Sequence, residues 1–432
     1  MPLIFGIYDI LLNLFFVLFF PLFFLYSLCT GRYRQGLGER LGIYSSSVKK
    51  KLEAGSRRLW IHAVSVGEVR AAGVLISALK DLAPDFVFVL STTTEQGYKI
   101  ARERLASEAA CLLFPIDTGW AVRRALKLVR PEAVICLETE LWPGFIYQVH
   151  KYGAKLLLVN GRISVRSFGR YRKIKWFISP LLEKFDYMSV IRKDDADRLM
   201  ALGANAKRVI VHGNMKFDLV AQDVLPGTEK IVRDRVGIGP DHPVFIAGST
   251  HKGEEELVLG AFGFLRRKYP DLLLIIAPRH VERSLEVECL LKKEGVEYSK
   301  WSDFDKAEGG SAILVDQMGP LFELYSIGTI VFCGGSLIPY GGHNIMEAAI
   351  WGKVVFYGPH MYDFLDATAL LESVGAGVEI RGVRQFVEMA MWCLENPSES
   401  QARGLHGKRI IEANKGAARK QAGLIKKVLE AA

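Results

Sequence analysis

Short apolar runs alternate with longer amphipathic stretches from residue 58 onwards. The amphipathic stretches, such as 68–80, 95–106 and 119–128, carry apolar residues at helical spacing and predict helices. The apolar runs predict buried strands, at 59–64, 86–91, 133–137, 155–159 and 187–191 in the first half and at 244–247, 272–277, 312–315, 329–333 and 354–357 in the second. Mostly apolar strands separated by helices are typical of a parallel sheet covered on both faces. The pattern therefore predicts an α/β fold with two doubly wound domains.

A turn-rich stretch over 221–243 separates the two sets of strands. It contains Pro226-Gly227 and a second cluster of turn residues at 237–243. We place the domain boundary there, which gives a first domain over 32–225 and a second over 226–432. In doubly wound sheets, ligands bind beyond the carboxyl ends of the strands, so the polar residues that follow each strand are the candidate site residues.

The first 31 residues are set apart by a long run without charge. Residues 10–29 are uncharged, and about twenty helical residues at 1.5 Å rise span ~30 Å, the thickness of a hydrocarbon core. Arg32, Arg34 and Arg40 follow the run and no Lys or Arg precedes it, so the positive-inside rule places the bulk of the protein on the cytoplasmic side. We therefore predict a membrane anchor over 1–31, whose removal leaves a soluble body.

Two other structures fit the same apolar run. Asn13 and Pro21 interrupt it, so it also fits a hydrophobic hairpin that lies on the membrane surface. A buried core helix is the third interpretation. A cleaved signal peptide is not indicated, because it needs a basic start and a small-residue cleavage site, and the sequence has neither.

Composition and charge narrow the class of protein. Half of the 432 residues are apolar and 24% are charged, which excludes a mainly disordered chain. Lys and Arg total 56 and Asp and Glu 47, a net charge of +9 that favours anionic partners such as phosphates or lipid headgroups. The 6 cysteines lie far apart, so a disulfide framework and a structural zinc site are both unexpected. No metal site is predicted, because the two D-x-D patterns, at 195–197 and 303–305, fit a solvated surface.

Three polar motifs follow the strands of the first half. Ser65-x-x-Glu68 fits either a capping box or a carboxylate general base at the positive end of a helix. Glu138 and Glu140 end a buried strand, which fits either surface acidity or a functional pair. A group of six cations without an intervening acid comprises Arg162, Arg166, Arg170, Arg172, Lys173 and Lys175. If helical, these form one basic stripe, suited to phosphate or an anionic membrane surface unless it is an ordinary solvated face.

Single cations and a glycine turn follow the strands of the second half. Lys216 lies in a glycine-led motif after an apolar run. Ser249 and His251 follow the next strand in a tight turn that is able to hold an anion on main-chain N–H groups. Arg279 follows another strand and offers a cation where a phosphate can bind. These residues predict an anion site at the ends of the strands.

The stretch 334–347 (GGSLIPYGGHNIME) runs from a buried strand through paired glycines into a predicted helix at 344–351. Turn geometry explains its glycines but not the His, Asn and Glu that follow them. The whole stretch fits a loop that binds phosphate and sugar hydroxyls. It matches neither the P-loop nor the dinucleotide-binding fingerprint, so ATPase and dehydrogenase functions are not indicated.

Taken together, these motifs resemble those of the 3-deoxy-D-manno-octulosonic acid (Kdo) transferases of lipopolysaccharide synthesis. The matching stretches occur in the same order over nearly the whole chain, and they are HAVSVGE at 62–68, ETELWP at 138–143, NGRIS at 160–164 with Arg166-Ser167, GNMKFD at 213–218, GSTH at 248–251, PRH at 278–280 and the stretch 334–347. The resemblance implies a GT-B fold of two Rossmann-like domains facing a cleft, the first for a lipid acceptor and the second for the donor CMP-Kdo. It also implies an inverting, metal-independent transferase without a cofactor that acts on a lipid A precursor at the bacterial inner membrane.

The resemblance also implies roles for individual residues. Glu68 is expected to be the catalytic base, and Glu138 and Lys216 are expected to stabilise the transition state. The segments expected to bind CMP are Pro278-Arg279, Met318-Gly319-Pro320 and Asn344-Ile345-Met346-Glu347. From their positions after strands, Arg162, Arg166, Ser249 and His251 are further expected to bind the acceptor or other anionic groups.

The sequence departs from the family pattern at one position of the CMP segments. The family usually has Met-Gly-Glu-Leu where this chain has Met318-Gly319-Pro320-Leu321. Pro320 removes a carboxylate and a main-chain N–H, so any contact there is restricted to shape or a carbonyl. A second departure, Ala348 in place of a common proline, affects the expected contacts very little.

Two other functions fit parts of the sequence. Another GT-B transferase with a different nucleotide sugar shares the fold and is distinguished by inhibition with UDP rather than CMP. A membrane-tethered scaffold that binds anions without turnover is distinguished by binding that collapses with salt. Nucleic acid is not an expected partner, because the basic stretches lack a recognisable reading motif.

Overall fold

The computed structural model describes residues 2–30, 36–222, 224–306 and 310–431. The chain divides into two compact units, the first of Met1–Leu219 with Lys415–Ala432 and the second of Val220–Asn414. Each unit carries one seven-stranded sheet, and the neighbouring strands of both sheets run parallel. The predicted α/β class with two doubly wound sheets is confirmed.

The helices and strands up to residue 222 are α1 (Pro2–Thr30), α2 (Leu37–Arg40), α3 (Ser46–Leu52), β1 (Arg57–His62), α4 (Val66–Leu82), β2 (Phe86–Thr92), α5 (Glu95–Leu105), β3 (Ala109–Leu113), α6 (Gly119–Val129), β4 (Ala133–Leu137), α7 (Pro143–Tyr152), β5 (Lys155–Gly161), α8 (Val165–Lys173), α9 (Lys175–Leu182), β6 (Tyr187–Val190), α10 (Lys193–Leu202), β7 (Val209–Val211) and α11 (Met215–Gln222). Those that follow are α12 (Thr228–Val236), β8 (Val244–Thr250), α13 (Glu255–Arg266), β9 (Leu273–Pro278), α14 (Ser284–Lys293), β10 (Tyr298–Lys300), β11 (Ala312–Leu314), α15 (Leu321–Leu324), β12 (Ile330–Cys333), α16 (Met346–Ala349), β13 (Val355–Tyr357), α17 (Leu365–Ser373), β14 (Gly377–Glu379), α18 (Val383–Glu395), α19 (Pro397–Ala413) and α20 (Ala417–Glu430). Short 3₁₀ turns lie at Ala206–Arg208, Val281–Arg283, Trp301–Lys306 and Tyr325–Ile327.

The central strands of the first sheet are mostly apolar because both faces of the sheet are covered. Side chains of β1 alternate between two cores. Trp60 packs with Val134 and Leu156 on one face, whereas Leu59 and Ile61 pack on the other. A strand that is buried on both faces reads as a continuous apolar run, which is the pattern that the sequence shows.

The strand order indicates where a ligand binds at each sheet. The order is β3-β2-β1-β4-β5-β6-β7 in the first sheet and β10-β11-β9-β8-β12-β13-β14 in the second. The direction of strand addition reverses between β1 and β4 and between β8 and β12. Ligands of doubly wound sheets bind beyond the carboxyl ends of the strands at this reversal. The residues that follow these four strands are therefore the ones placed to bind a ligand.

The C-terminal helix α20 belongs to the first unit, whereas the division made from the sequence assigns residues 226–432 to the second domain. Its apolar face, which includes Leu424 and Ile425, is part of a core cluster of the first unit and contacts α4. An amphipathic pattern shows that a helix covers a core without showing which core it covers, and this explains the difference.

Helix α1 packs on the first unit with one face of its first half. Phe5 is 3% exposed, and its ring stacks on Tyr147 with 5.0 Å between ring centroids. Asp9 accepts the main-chain N–H of Gly119 at 2.7 Å. These contacts fix the direction in which the helix leaves the unit.

Between residues 4 and 22, the part of α1 that is not docked is mostly apolar and exposed, as at Ile10 and Val17, which are both 67% exposed. By length and composition, residues 4–22 suffice to cross a membrane. The structure shows one continuous helix over Pro2–Thr30, not a hairpin, and the large exposed surface is not that of a core helix. Arg32 and Arg34, which support the predicted orientation, lie outside the described residues.

Candidate active site

Glu68 lies in the first turn of α4, after β1, and forms the capping box that its sequence predicts. Ser65 caps the helix and its hydroxyl oxygen accepts the main-chain N–H of Glu68 at 3.4 Å. The Glu68 carboxylate accepts the main-chain N–H of Val64 and the hydroxyl of Ser65, both at 2.8 Å. These bonds hold the carboxylate in one place, and the residue is 7% exposed.

The same environment makes Glu68 a stronger base than an exposed glutamate. Burial raises the pKa of its carboxyl group and the charge of Glu138 raises it further, while the hydrogen bonds from Val64 and Ser65 oppose the rise. A fixed carboxylate with a raised pKa is what a general base needs. The capping role and the base role are therefore compatible in one side chain.

Glu138, the residue after β4, lies between two cations. Its Oε2 is 3.1 Å from Arg162 Nε and its Oε1 is 3.4 Å from Lys216 Nζ. The side chains of Glu138 and Lys216 are 13% and 18% exposed, so this ion pair is largely withdrawn from solvent. Glu138 has φ 55, a left-handed conformation that is uncommon for a side chain of this kind and costs energy. The structure thus brings three of the predicted site residues together at one strand end.

Glu140 belongs to the same cluster, although the sequence analysis gives it no role apart from its pairing with Glu138. Burial raises the pKa of the Glu140 carboxyl to about 7, and the charge of Glu68 contributes to the rise. Its Oε2 accepts the indole N–H of Trp142 at 2.7 Å. Glu140 therefore adds a third carboxyl group to the site, and its charge and that of Glu68 disfavour each other.

Lys216 is positioned by contacts that reach to the C-terminal helix. The main-chain N–H of Met215 donates to Asn160 Oδ1 at 2.9 Å. Gln421 of α20 accepts the main-chain N–H of Asn160 and donates to the carbonyl of Gly213, both at 3.1 Å. Gln421 is fully buried. Sequence reasoning missed Gln421 because it lies far along the chain in a helix without any motif.

Asp218, the last residue of the motif that contains Lys216, holds the start of α20. Its carboxylate oxygens accept the main-chain N–H groups of Gly416 and Ala418 at 2.6 and 3.1 Å. A carboxylate at the positive end of a helix is favourable for both partners. The motif therefore combines the cation of the site with the contact that fixes its support.

The six predicted cations do not form one helical stripe. Arg162 precedes α8 and its side chain pairs with Glu138. Arg166 and Arg170 lie four residues apart on α8, whose residues are all at least partly exposed. Ile174, which has non-helical dihedral angles, separates α8 from α9. The prediction of a single stripe is wrong, because Arg162 belongs to the carboxylate cluster and the other cations to two helices.

In the second unit, a buried carboxylate shapes the turns after β8 and β12. Glu254 is fully buried and accepts the main-chain N–H groups of four residues, at 2.7 to 3.0 Å: His251, Gly335, Ser336 and Leu337. Burial raises the pKa of Glu254, and these four hydrogen bonds oppose the rise. The sequence analysis gave Glu254 no role, because an ordinary glutamate in a first helical turn carries no sign of such contacts.

His251 and Arg279 directly follow β8 and β9, as predicted, whereas Ser249 is still within β8, which is longer than predicted. Ser249 has φ 55 and so adopts the left-handed conformation near the end of that strand. His251 is 5% exposed, and its Nε2 is 2.8 Å from Nε2 of His343. The main-chain N–H of Arg279 donates to the carbonyl of Thr250 at 2.9 Å, which ties the β9 end to the β8 turn.

The three segments expected to bind CMP follow β9, β11 and β12. They are Pro278-Arg279, with Pro278 the last residue of β9, Met318-Gly319-Pro320, which directly precedes α15, and Asn344-Ile345-Met346-Glu347, which leads into α16. Met318 is 73% exposed and Gly319 has φ +118 with open space around it. All three segments therefore lie on the ligand side of the second sheet.

The turn at 344–347 is held by its own side chains. Asn344 Oδ1 accepts the main-chain N–H of Met346 at 3.2 Å, and Asn344 Nδ2 donates to Glu347 Oε1 at 3.2 Å. Ile345 and Met346 are 0% and 1% exposed, so only their main chain can meet a ligand. The helix predicted at 344–351 is shorter in the structure, because α16 spans Met346–Ala349.

Within the part of the chain that the structure describes, no group of three or more His, Cys, Asp and Glu side chains could hold a metal ion. The positive charges near these strand ends come from lysine and arginine side chains. Lys216 and Arg162 supply them at the first sheet, and Arg279 supplies one at the second.

Comparison with known proteins gives one family. A family model described as 3-deoxy-D-manno-octulosonic-acid transferase (kdotransferase) matches residues 35–219. The chain is 34% identical over 408 residues to the 3-deoxy-D-manno-octulosonic acid transferase of Haemophilus influenzae, with 94% of each chain covered. It is 32% identical to the transferase of the same description from Aquifex aeolicus, covering 78% of this chain and 86% of that one.

Solved structures with the same fold have low sequence identity. UDP-GlcNAc 2-epimerase from Neisseria meningitidis matches with a TM-score of 0.62 at 14% identity, covering 87% of this chain and 100% of that one. A glycosyltransferase from Rickettsia africae matches with a TM-score of 0.59 at 12% identity, covering 87% and 98%. At these identities the likeness shows the fold alone, and it confirms the predicted GT-B-like architecture.

Proposed function

Because this chain belongs to the Kdo transferase family, the glycosyltransferases that add Kdo in lipopolysaccharide synthesis, we propose that it transfers Kdo from CMP-Kdo to the lipid A precursor lipid IVA. We further propose that the reaction is a direct, inverting displacement without a metal. The observation that supports this chemistry best is the fixed, buried Glu68 carboxylate at the end of β1.

In the proposed step, Glu68 accepts the proton of a lipid IVA hydroxyl while that oxygen bonds to the anomeric carbon of Kdo. The bond between that carbon and the phosphate oxygen of CMP breaks, and CMP leaves with the electron pair. Burial and the charge of Glu138 keep the pKa of the base above its ordinary value. Lys216, held against Glu138, is placed to meet negative charge as it develops.

The donor half of the proposal rests on the second unit. CMP is acidic enough to leave without a general acid, so the protein needs only to stabilise its charge. Arg279 directly follows β9 and is the cation at this strand end. Asn344 and Glu347 offer side-chain partners for sugar hydroxyl and base amino groups. The cations Arg279 and Lys216 are why we propose that no metal is needed.

We also propose that α1 attaches the chain to the cytoplasmic face of the bacterial inner membrane, where lipid IVA resides. One face of α1 is apolar and exposed, and the other is docked on the first unit. Close to the docked end, Phe177 of α9 lies 6.0 Å from Phe5 between ring centroids, and the neighbouring Trp176 is 65% exposed. An exposed Trp beside cationic helices is typical of a membrane interface.

Transfer itself is tested with the purified full chain, CMP-Kdo and lipid IVA, with the product resolved by mass. We expect a product that carries Kdo, continued turnover in EDTA, and competition by CMP but not by UDP. Inhibition by UDP alone contradicts the proposed donor and favours another nucleotide-sugar transferase. Salt-sensitive binding of lipid without any product contradicts an enzyme of this class.

The docked face of α1 is expected to contribute to folding stability. Phe5→Ala should lower the free energy of unfolding by about 3–5 kcal/mol, the usual cost of removing a buried Phe side chain, measured by thermal unfolding in detergent. Ile10→Ala, on the exposed face of the same helix, is the matched control and should leave the unfolding temperature unchanged. Equal effects of the two substitutions would show that α1 is not docked through Phe5.

A further inference from the structure

We propose that His251 and His343 form a proton-accepting pair that binds the phosphate of the donor nucleotide, and that the pair takes up one proton from solvent when the phosphate binds. This inference rests on the proposed function, because it concerns the donor site of the same reaction. His343 lies outside the segments expected to bind CMP, and His251 is assigned here a proton-handling role in addition to anion binding.

The contact between the two rings restricts where their protons can lie. Nε2 of His251 and Nε2 of His343 are 2.8 Å apart. At this distance one nitrogen must carry a hydrogen and donate it, and the other must accept it through its lone pair. The neutral pair therefore shares one proton between the rings. A second proton can add only at Nδ1 of the donating ring, which makes that ring an imidazolium and leaves the hydrogen bond intact.

The loop after β12 is built around these rings. Gly335 has φ +68, and a Cβ at this position would lie 2.9 Å from the His343 ring and 3.5 Å from the His251 ring. Tyr340 of the same loop stacks on His251 with 4.2 Å between ring centroids. The pair is thus enclosed by glycine backbone on one side and by an aromatic ring on another. Both histidines follow β8 and β12, the two strands at the reversal of the sheet, where a ligand is expected.

The charged groups around the pair are mainly cations. Arg279, His280 and Arg283 all disfavour a charge on His251. Together with burial, which is the larger cause, they lower the pKa of His251 to about 4, and burial with Arg279 lowers that of His343 to about 3. The pair is therefore neutral in the free protein at pH 7. A phosphate that binds beside these cations raises the pKa of the pair, because an adjacent anion favours the charged form of histidine.

The carboxylates nearby do not supply that negative charge. Both carboxylate oxygens of Glu254 accept hydrogen bonds from main-chain N–H groups, including that of His251. Glu255 is paired with Arg283, at 2.7 Å. Glu347 accepts from Asn344 within its own turn. We therefore infer that the phosphate of the bound nucleotide supplies the negative charge that stabilises the protonated pair.

The protonated pair also fits the course of the transfer. The phosphate of CMP-Kdo is a diester with one negative charge, and it becomes a monoester with a second charge when the bond to Kdo breaks. A positive charge on the pair stabilises this added charge without any proton passing to CMP. The acceptor proton goes to Glu68 and the pair keeps its own proton until CMP leaves.

Calorimetric titration of the full chain with CMP tests this proton uptake. Binding is measured at pH 7.5 in two buffers that differ in ionisation enthalpy, and the difference gives the number of protons bound. An adjacent opposite charge raises a pKa by up to about 3 units, so that of His251 rises from about 4 to about 7. We then expect an uptake of about one quarter of a proton per CMP at pH 7.5, which grows as the pH is lowered towards 7, and a CMP affinity that falls as the pH rises. A phosphate monoester has its second pKa near 6, so a simple preference for the dianion gives no proton uptake at pH 7.5 and an affinity that does not fall with pH.

His251→Gln and His343→Gln should each abolish the uptake while CMP still binds, with about tenfold or more lower affinity. His212→Gln, a substitution in the first unit at a histidine bonded to Ser189, is the matched control and should leave uptake unchanged. Cytidine, which lacks the phosphate, should bind without proton uptake. Retained unfolding temperatures show that the variants fold, and a variant that does not fold is replaced by the corresponding Asn substitution.

CMP binding without proton uptake, or uptake that persists in both Gln variants, overturns the inference and leaves the proposed function intact. Equal uptake with cytidine also overturns it, because the phosphate is then not the trigger. Absence of CMP binding, together with absence of transfer, overturns the proposed function and this inference with it.

Discussion

Glu68→Gln is expected to lower the turnover number about 10²–10⁴-fold, the usual contribution of a positioned proton transfer. Glutamine keeps the size of the side chain and can still accept through its amide oxygen, so the start of α4 should persist. It cannot accept a proton, so the attacking hydroxyl loses its base. Turnover is measured with CMP-Kdo and lipid IVA, and CMP affinity, which depends on the second unit, should be unchanged.

Two matched variants separate catalysis from helix capping at Glu68. Ser65→Ala removes the cap but keeps the carboxylate, so it should cost about 1 kcal/mol of stability and little turnover. Glu399→Gln removes an exposed carboxylate from the first turn of another helix and should change neither. If Glu68→Gln loses stability like Ser65→Ala and keeps near-normal turnover, Glu68 is a capping residue and the base must be another group.

The pH dependence of turnover is a second test of Glu68 as the general base. A general base works in its ionised form, so turnover rises as pH rises through its pKa. That pKa is raised by burial and by Glu138, and Glu68 in turn contributes to the raised pKa of Glu140. The rise in turnover is therefore expected above the ordinary glutamate range. In Glu68→Gln the residual turnover should lose this rise.

The central strands of both sheets could be predicted from the sequence, but the edge strands could not. The four strands without a predicted counterpart are β3 and β7 at the edges of the first sheet and β10 and β14 at the edges of the second. Central strands are enclosed by neighbours and helices, so they show as runs of Val, Ile, Leu and Phe. β7, β10 and β14 have only three residues each and are partly exposed, and β3 is rich in Ala and Cys.

The candidate site could be predicted where a residue follows a central strand. Glu68 and Glu138 follow the central strands β1 and β4, whereas Lys216 follows the edge strand β7 and was predicted from its motif. The structure places Glu138 against Lys216 and gives Glu138 a part in the pKa of Glu68. The supporting residues Gln421 and Glu254 were not identified. Their partners are main-chain groups that are distant in the chain, and a sequence pattern carries no record of such contacts.

Backbone strain marks the same strand ends in both units. Glu138, Asn160 and Ser249 are not glycines, yet they have φ 55, 54 and 55 after β4, within β5 and within β8. Left-handed backbone at such residues costs of order 1–3 kcal/mol and persists where the surrounding contacts impose it. Asn160 shows those contacts, since its main chain bonds Gln421 and its side chain bonds Met215. The strained backbone thus lowers the folding stability at positions that orient residues of the candidate site.

Glu254→Gln is expected to destabilise the second unit and to disrupt donor binding. The Glu254 oxygens accept four main-chain N–H groups, two at each oxygen. In glutamine one oxygen becomes an amide nitrogen, whose hydrogens oppose two of those N–H donors. Two lost hydrogen bonds to a charged group at about 1.5–3 kcal/mol each correspond to about 3–6 kcal/mol of unfolding free energy. CMP affinity should fall by at least about tenfold, since a change of about 1.4 kcal/mol suffices for that.

The expected loss follows from contacts to main chain, so it is specific to position 254. Glu256→Gln, which changes an exposed carboxylate two residues later, in the first turn of α13, is the matched control and should leave unfolding and CMP affinity unchanged. Thermal unfolding measures the first effect and calorimetric titration with CMP the second. The prediction is wrong if Glu254→Gln has the same unfolding temperature and the same CMP affinity as Glu256→Gln. The turns after β8 and β12 would then keep their conformation without a buried carboxylate, through their glycines alone.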